Sequence, residues 1–164
     1  MSTIPAASPQ PVTSPEHTAG AALADRLGIR VDRADPSLGG CGAVATFPAP
    51  PDAVLPTGAV LALVDATARA AAEAAVTVSG RHPALVATAA GVQFREQGRG
   101  TITARATVPC EGVITDRADA DGLFRFSVAV DVVDPSGARV AAGTVQWTGR
   151  MDGDSGVPHE HIPT

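Results

Sequence analysis

The sequence predicts an α+β fold in which one antiparallel sheet wraps around a long central Ala-rich helix. Three observations carry that reading. From Ala59 to about Val78 nearly every residue is Ala, Leu or Val; the composition favours helix, and a helix apolar on almost all sides is a buried one. Every later segment reads as strand between short turn signals. The 164 residues suit one domain, and 45% hydrophobic content with 3% aromatic means a core built from Ala, Val, Leu and Ile.

In chain order, residues 1–15 are rich in Pro, Ser and Thr and lack the basic start and apolar run of a signal peptide, so they read as a disordered leader. Glu16 to Leu27 has helical character, with Gly28 as its stop. Ile29 to Asp32 is a short extended piece, and Asp35-Pro36-Ser37 with Gly39-Gly40 marks a turn. Gly42 to Phe47 is the next strand. Pro48, Pro50, Pro51 and Pro56 then hold the chain in a loop. Pro56-Thr57-Gly58 opens the central helix, with Thr57 as N-cap, and Ser79-Gly80 stops it.

Four strands follow, over Ala84 to Glu96, Thr101 to Thr115, Leu123 to Val133 and Arg139 to Arg150. Gly98-Arg99-Gly100, Asp119 to Gly122 and Asp134-Pro135-Ser136-Gly137 separate them. Such short turns predict an antiparallel meander. Residues 152–164 resemble the leader and read as a disordered tail, so the domain spans 16–151. A single sheet covers one side of a helix, and a second copy of the chain is the natural cover for the rest. A homodimer, or a dimer of dimers, is expected.

Composition removes several function classes. The net charge is −5 and all 12 basic residues are Arg, which argues against nucleic-acid binding and leaves phosphate contacts to Arg or backbone N–H groups. Cys41 and Cys110 are far apart and read as buried free thiols. Asp65, Arg69 and Glu73 interrupt the apolar run from Gly58 to Val78, so no membrane span is expected. With no signal peptide, the expected compartment is the cytoplasm. His159 and His161 sit in a Pro-rich tail without a third ligand, so no metal site is expected. His17 and His82 fit no Ser/His/Asp arrangement, and no P-loop or dinucleotide fingerprint occurs.

Asp65 is the one candidate catalytic carboxylate of the helix. It lies seven residues after Gly58, on the same face and about 10.5 Å along the axis at 1.5 Å per residue. The N-terminus of a buried helix carries unpaired N–H groups and the positive end of the dipole. A structural reading stands beside the catalytic one. Asp65, Arg69 and Glu73 are spaced i, i+4, i+8, which suits ion pairs on a polar stripe that faces water or pairs across a dimer interface. Both hold if Arg69 orients Asp65 and lowers its pKa.

The element order resembles the hotdog fold. Locally, Pro56-Thr57-Gly58 followed by Leu63-Val64-Asp65 is similar to the phenylacetate-type (PaaI-like) branch of the acyl-CoA thioesterases. In that branch a turn of roughly His-Gly-Gly opens the central helix and Leu-Ala-Asp follows within it. Gly91-Val92-Gln93-Phe94-Arg95 with Gly98-Arg99-Gly100 resembles its second strand and following turn, and Leu27-Gly28-Ile29 also fits. The resemblance runs from about Glu16 to Met151.

It implies an acyl thioester hydrolase acting on acyl-CoA or acyl-carrier protein. The N–H of Thr57 or Gly58 would hold the oxyanion and Asp65 would activate water. Gln93, Phe94, Arg95 and Arg99 are the substrate-binding candidates, with Arg95 and Arg99 either gripping phosphates or serving as ordinary surface Arg. Phe94, Phe124 and Phe126 are candidates to line an acyl channel; Phe124 and Phe126 share a strand face, so core packing is the competing role for at least one of them. No cofactor is implied beyond the CoA or phosphopantetheine of the substrate itself. The chain departs from the pattern where Pro56 replaces the turn His and Thr57 the first Gly. The main-chain donor survives that change and the imidazole does not. Two alternatives therefore stay open: addition of a nucleophile to an unsaturated thioester, and a non-catalytic dimer that binds acyl ligands.

Overall fold

The computed structural model describes residues 22–33, 42–76, 83–108 and 118–151. The leader, the tail, both cysteines, all four histidines and the 35–40 turn lie outside them. The elements are a helical turn α1 (22–26), β1 (Arg30–Arg33), β2 (Gly42–Phe47), α2 (Thr57–Val76), β3 (Ala84–Phe94), β4 (Ile102–Thr107), β5 (Leu123–Val133) and β6 (Arg139–Arg150). Expected helix at residues 77–78 and expected strand at 109–115 fall outside the described residues.

Alanine sets how closely helix and sheet approach. Ala43 and Ala45 of β2 and Ala104 and Ala106 of β4 are fully buried, and they meet buried Ala68, Ala71 and Ala72 of α2. Small side chains on both surfaces let α2 lie down on β2, β4 and β5, while it also reaches β1 and β6. Larger residues fill the flanks, with Leu63, Val64, Ile102, Phe124 and Trp147 all nearly inaccessible. The one buried polar residue of the helix, Thr67, donates its hydroxyl to the Leu63 carbonyl one turn back at 2.6 Å, so burial leaves no orphan.

The six strands form one antiparallel sheet in the order β1-β2-β4-β5-β6-β3. With α2 across it, this is the hotdog arrangement. The expected meander holds for β4-β5-β6 only. β3 does not pair with β4; it crosses to the outer side of β6, and β2 takes the place beside β4. The Gly98-Arg99-Gly100 segment is therefore no hairpin. The backbone N–H groups of Arg95 and Glu96 donate to the Val140 carbonyl, the Leu55 N–H donates to Gly98, and the Gly100 N–H donates to Ala53. The hydrogen bonds that would close a hairpin instead tie this connection to β6 and to the loop entering α2. Gly100 has φ +71°, and a Cβ there would stand 3.2 Å from the Pro51 carbonyl oxygen, so the position needs glycine.

The β5–β6 turn behaves as its sequence predicts. Asp134 Oδ1 accepts from the Ser136 N–H at 2.9 Å, the Ser136 hydroxyl at 2.6 Å and the Ala138 N–H at 3.0 Å. The Ser136 hydroxyl bond, with the backbone donors, holds the Asp134 carboxyl below its usual pKa. A carboxyl whose pKa is depressed on folding stabilises above its unfolded value and loses that contribution as pH falls through its folded value. An NMR titration should show Asp134 as a low-titrating carboxylate, with the turn loosening only as it protonates. The Ser136→Ala variant should move that titration upward.

Candidate active site

Helix α2 begins against proline. The Pro56 carbonyl accepts from the Ala59 N–H at 3.0 Å and the Val60 N–H at 3.4 Å. Pro56 is thus the N-cap, and Thr57 is the first helical residue rather than the cap expected of it. The correction follows from the ring: Pro has no N–H to lose at a helix start, and its fixed φ suits the approach. Thr57 and Gly58 are both exposed, and no backbone bond is recorded from either N–H. A Cβ added to Gly58 would meet nothing within 4 Å. Among the described residues, two N–H groups without a backbone partner therefore stand at the positive end of a 20-residue helix.

Beside this helix end is a cavity of about 280 Å3 lined by Thr57 and Val60 of the helix, by Leu55, by Val140, and by the chain from Phe94 to Gly98. It brings together three of the expected site residues, Thr57, Phe94 and Arg95, with Gly58 beside them. Phe94 is 46% exposed. It pairs with Ala141, whose side is the helix side of the sheet, so its ring forms an apolar wall opposite the helix N-terminus.

The other expected residues are placed elsewhere. Gln93 points away from Phe94, accepts from Arg95 Nη2 at 3.2 Å, and borders a separate hollow of about 440 Å3 with Gly91, Ala142 and Thr144. Arg99 is exposed and bridges Val54 through its backbone; it does not line the cavity. Phe124 is 1% exposed and stacks on Phe126 with ring centroids 6.2 Å apart, so this pair is core. Among the described residues there is no group of three His, Cys, Asp or Glu able to hold a metal, and no helix is long and apolar enough to cross a membrane.

Asp65 is half-buried on the outer face of α2, beyond exposed Leu61 and outside the cavity lining. The expected Asp65–Arg69 ion pair is absent among the described residues. Arg69 instead lays its guanidinium over the Trp147 ring, 5.3 Å from the centroid. Delocalised guanidinium on an indole face is a favourable contact once water is excluded, and it draws Arg69 toward the sheet and away from Asp65. Among the described residues, neither the buried Arg69 Nε nor the buried Trp147 Nε1 has an acceptor. The sequence does hold a signal for this pair: Trp147 is the only Trp in an aromatic-poor chain and alternates in step with Val145 and Gly149 on the buried face of β6.

No family model matches the chain, and no curated protein matches it in sequence. Solved structures do resemble it. A Pseudomonas aeruginosa protein of unknown function, described as a "Probable Thioesterase", superposes with a TM-score of 0.65 at 20% identity, over 79% of this chain and 87% of that one. The PaaI protein of the Escherichia coli phenylacetic acid degradation operon gives 0.54 at 21% identity, over 84% and 91%. A thioesterase of Haemophilus influenzae gives 0.56 at 15% identity, over 81% and 86%. At these identities the likeness is one of fold.

Proposed function

We propose that this protein is an acyl thioester hydrolase that works as a homodimer on acyl-CoA or acyl-carrier-protein esters in the cytoplasm. The observation that carries the reading is a helix N-terminus at which, among the described residues, the N–H groups of Thr57 and Gly58 have no backbone partner, with Thr57 lining a cavity and Gly58 next to it; Asp65, a carboxylate with no ion pair among the described residues, lies further along the same helix. The thioesterase neighbours lend it support.

In this reaction the thioester carbonyl oxygen accepts from the helix N-terminus. Water adds to the carbonyl carbon while Asp65 takes its proton. The C–S bond then breaks, and the thiolate leaves and is protonated. Charge develops on the carbonyl oxygen, where fixed donors stabilise it most.

One chain alone does not bring the two parts together, since about 10.5 Å of helix axis separates Gly58 from Asp65. A second copy supplies what is missing. β3 is an 11-residue edge strand, exposed along nearly its whole length, with one side unpaired and Val86 and Phe94 uncovered. Such an edge pairs with another strand or must be blocked. Pairing β3 with its own copy in antiparallel fashion turns the two α2 helices antiparallel as well. The N-terminal turn of one then comes level with a later turn of the other, and Asp65 of one protomer serves the partner's Thr57 and Gly58.

Thiol release from a panel of acyl-CoA esters tests the activity. Light scattering tests the assembly, with a dimer expected at micromolar concentration. A stable, active monomer would sink the shared site, and mass-spectrometric detection of an adduct from an unsaturated thioester would redirect the chemistry.

A further inference from the structure

The cavity beside the start of α2 has two chemically different ends. Its floor is formed by Leu55, Val60 and Val140, which are 8%, 3% and 2% exposed. Its mouth carries Thr57, Phe94, Arg95 and Glu96, all of them exposed. Among the described residues that line it, the charged groups therefore sit at the mouth and the floor is aliphatic.

The floor is also fixed in place. The Arg95 and Glu96 N–H groups donate to the Val140 carbonyl at 2.9 and 3.4 Å, and the Leu55 N–H donates to the Gly98 carbonyl at 3.3 Å. The loop before α2 and the connection after β3 are thus tied to each other and to β6. No gap remains between Gly98 and the floor: a Cβ on Gly98 would stand 3.0 and 3.2 Å from the two Val140 methyls and 3.4 Å from Ile102 Cγ2. Ile102 is itself inaccessible. Side chains held this closely admit a longer guest only by displacing packed neighbours.

The volume of about 280 Å3 has room for about nine groups the size of a water molecule, at about 30 Å3 each. An acyl group of about eight carbons, with its carbonyl oxygen, has that many heavy atoms. We infer that Leu55, Val60 and Val140 set the acyl specificity of this site, which takes thioesters of neutral straight-chain acids of up to about eight carbons and rejects long-chain and dicarboxylic ones. This rests on the thioesterase reading of the same cavity. With the carbonyl at the mouth beside Thr57, the alkyl end lies on the floor. A methylene more or less in such a pocket changes kcat/KM by about tenfold or more, and one that does not fit displaces Val140 or Leu55 or stays in water. A terminal carboxylate would lie against three aliphatic side chains with no donor to replace its hydration, which is costly.

The test measures kcat/KM over the even-numbered acyl-CoA esters from butyryl to dodecanoyl, with adipoyl-CoA as the charged counterpart of hexanoyl-CoA. In the wild-type protein kcat/KM should peak at octanoyl-CoA or a shorter ester and fall by about tenfold or more at dodecanoyl-CoA, and adipoyl-CoA should lose to hexanoyl-CoA by a similar factor. Val140→Ala deletes two methyl groups from the floor and should move the peak to the next longer ester. Val140 is buried in β6, so its truncation also lowers stability. Leu55→Ala, in the loop ahead of α2, should move the peak the same way and decides the matter if Val140→Ala does not fold. An unmoved peak in either folded variant, a wild-type peak at dodecanoyl-CoA, or equal turnover of adipoyl-CoA and hexanoyl-CoA would overturn the proposal. If no ester is turned over, the hydrolase reading fails and this one is still decided. The same esters should then raise the melting temperature most at octanoyl-CoA or a shorter ester, and Leu55→Ala should displace that maximum to a longer one. A rise equal for free CoA and every ester refutes the pocket.

Discussion

Asp65→Asn is expected to lower kcat by about 10²–10⁴-fold, the range for loss of a positioned general base, while leaving the fold intact. The substitution keeps the shape of the side chain and removes only its charge. Asp65 is half-buried, and no ion pair or hydrogen bond to its carboxylate is recorded among the described residues. Its removal should therefore cost little stability, and a melting temperature within about a degree or two of wild type is expected, as for surface sites without such features. Single-turnover thiol release separates the outcomes. Unchanged turnover removes Asp65 from the mechanism and returns it to the polar stripe. A matching fall in melting temperature makes its role structural.

The same variant tests whether two chains share each site. Gly58→Pro deletes one donor at a position where the first helical turn tolerates proline. Each variant alone should be nearly inactive. Mixed and refolded together, they form heterodimers in which one of the two sites has Asp65 from one chain and the Gly58 N–H from the other. Activity regained on mixing is expected from a shared site. If both groups came from one chain, every site in the mixture would stay defective.

The parts of the fold that could be read from sequence are those with a strong local period. α2 was legible because its Ala-rich run admits no strand reading, and β5 and β6 because their apolar residues alternate around a turn whose Asp, Pro, Ser and Gly each have a local function. The sheet order was not legible. Gly98-Arg99-Gly100 has the chemistry of a tight turn wherever it occurs, and only the hydrogen bonds of Gly98, Gly100 and Arg95 to distant Ala53, Leu55 and Val140 decide that it carries the chain across the sheet end. The helix start shows the same limit. Thr57 has a capping side chain, but the carbonyl that accepts the first bonds belongs to Pro56. The oxyanion donors were legible because they are main-chain groups at a predictable helix end. The burial of Trp147 was legible in its alternation with Val145 and Gly149, but its stack with Arg69 was not, since that needs β6 to lie within reach of one particular edge of α2.

Gly149→Ala should be among the most destabilising small substitutions in the chain, for a reason no local rule announces. Gly149 lies on β6 directly between Phe124 of β5 and Leu85 of β3. Both lean over it. A Cβ at this position would stand 2.6 Å from Phe124 Cε2 and 2.9 Å from Leu85 Cδ2, with Phe124 Cζ closer still. Phe124 is 1% exposed and stacked on Phe126, so its ring has no free space to turn into. Overpacking of this kind costs about 3 kcal/mol, which for a domain of this size lowers the melting temperature by roughly 6–12 °C. The cause can be separated from a loss of glycine flexibility. If the ring is what the new methyl strikes, Phe124→Leu should cost clearly less in the Gly149→Ala background than in the wild type, where it opens a cavity and loses the Phe126 stack. Additive losses would show that the two side chains do not compete, and the tight packing of Phe124 over Gly149 would then be wrong. The stake is more than stability. Gly149 and Trp147 are successive buried positions on β6, so a shift of Phe124 also moves the surface on which Trp147 carries Arg69.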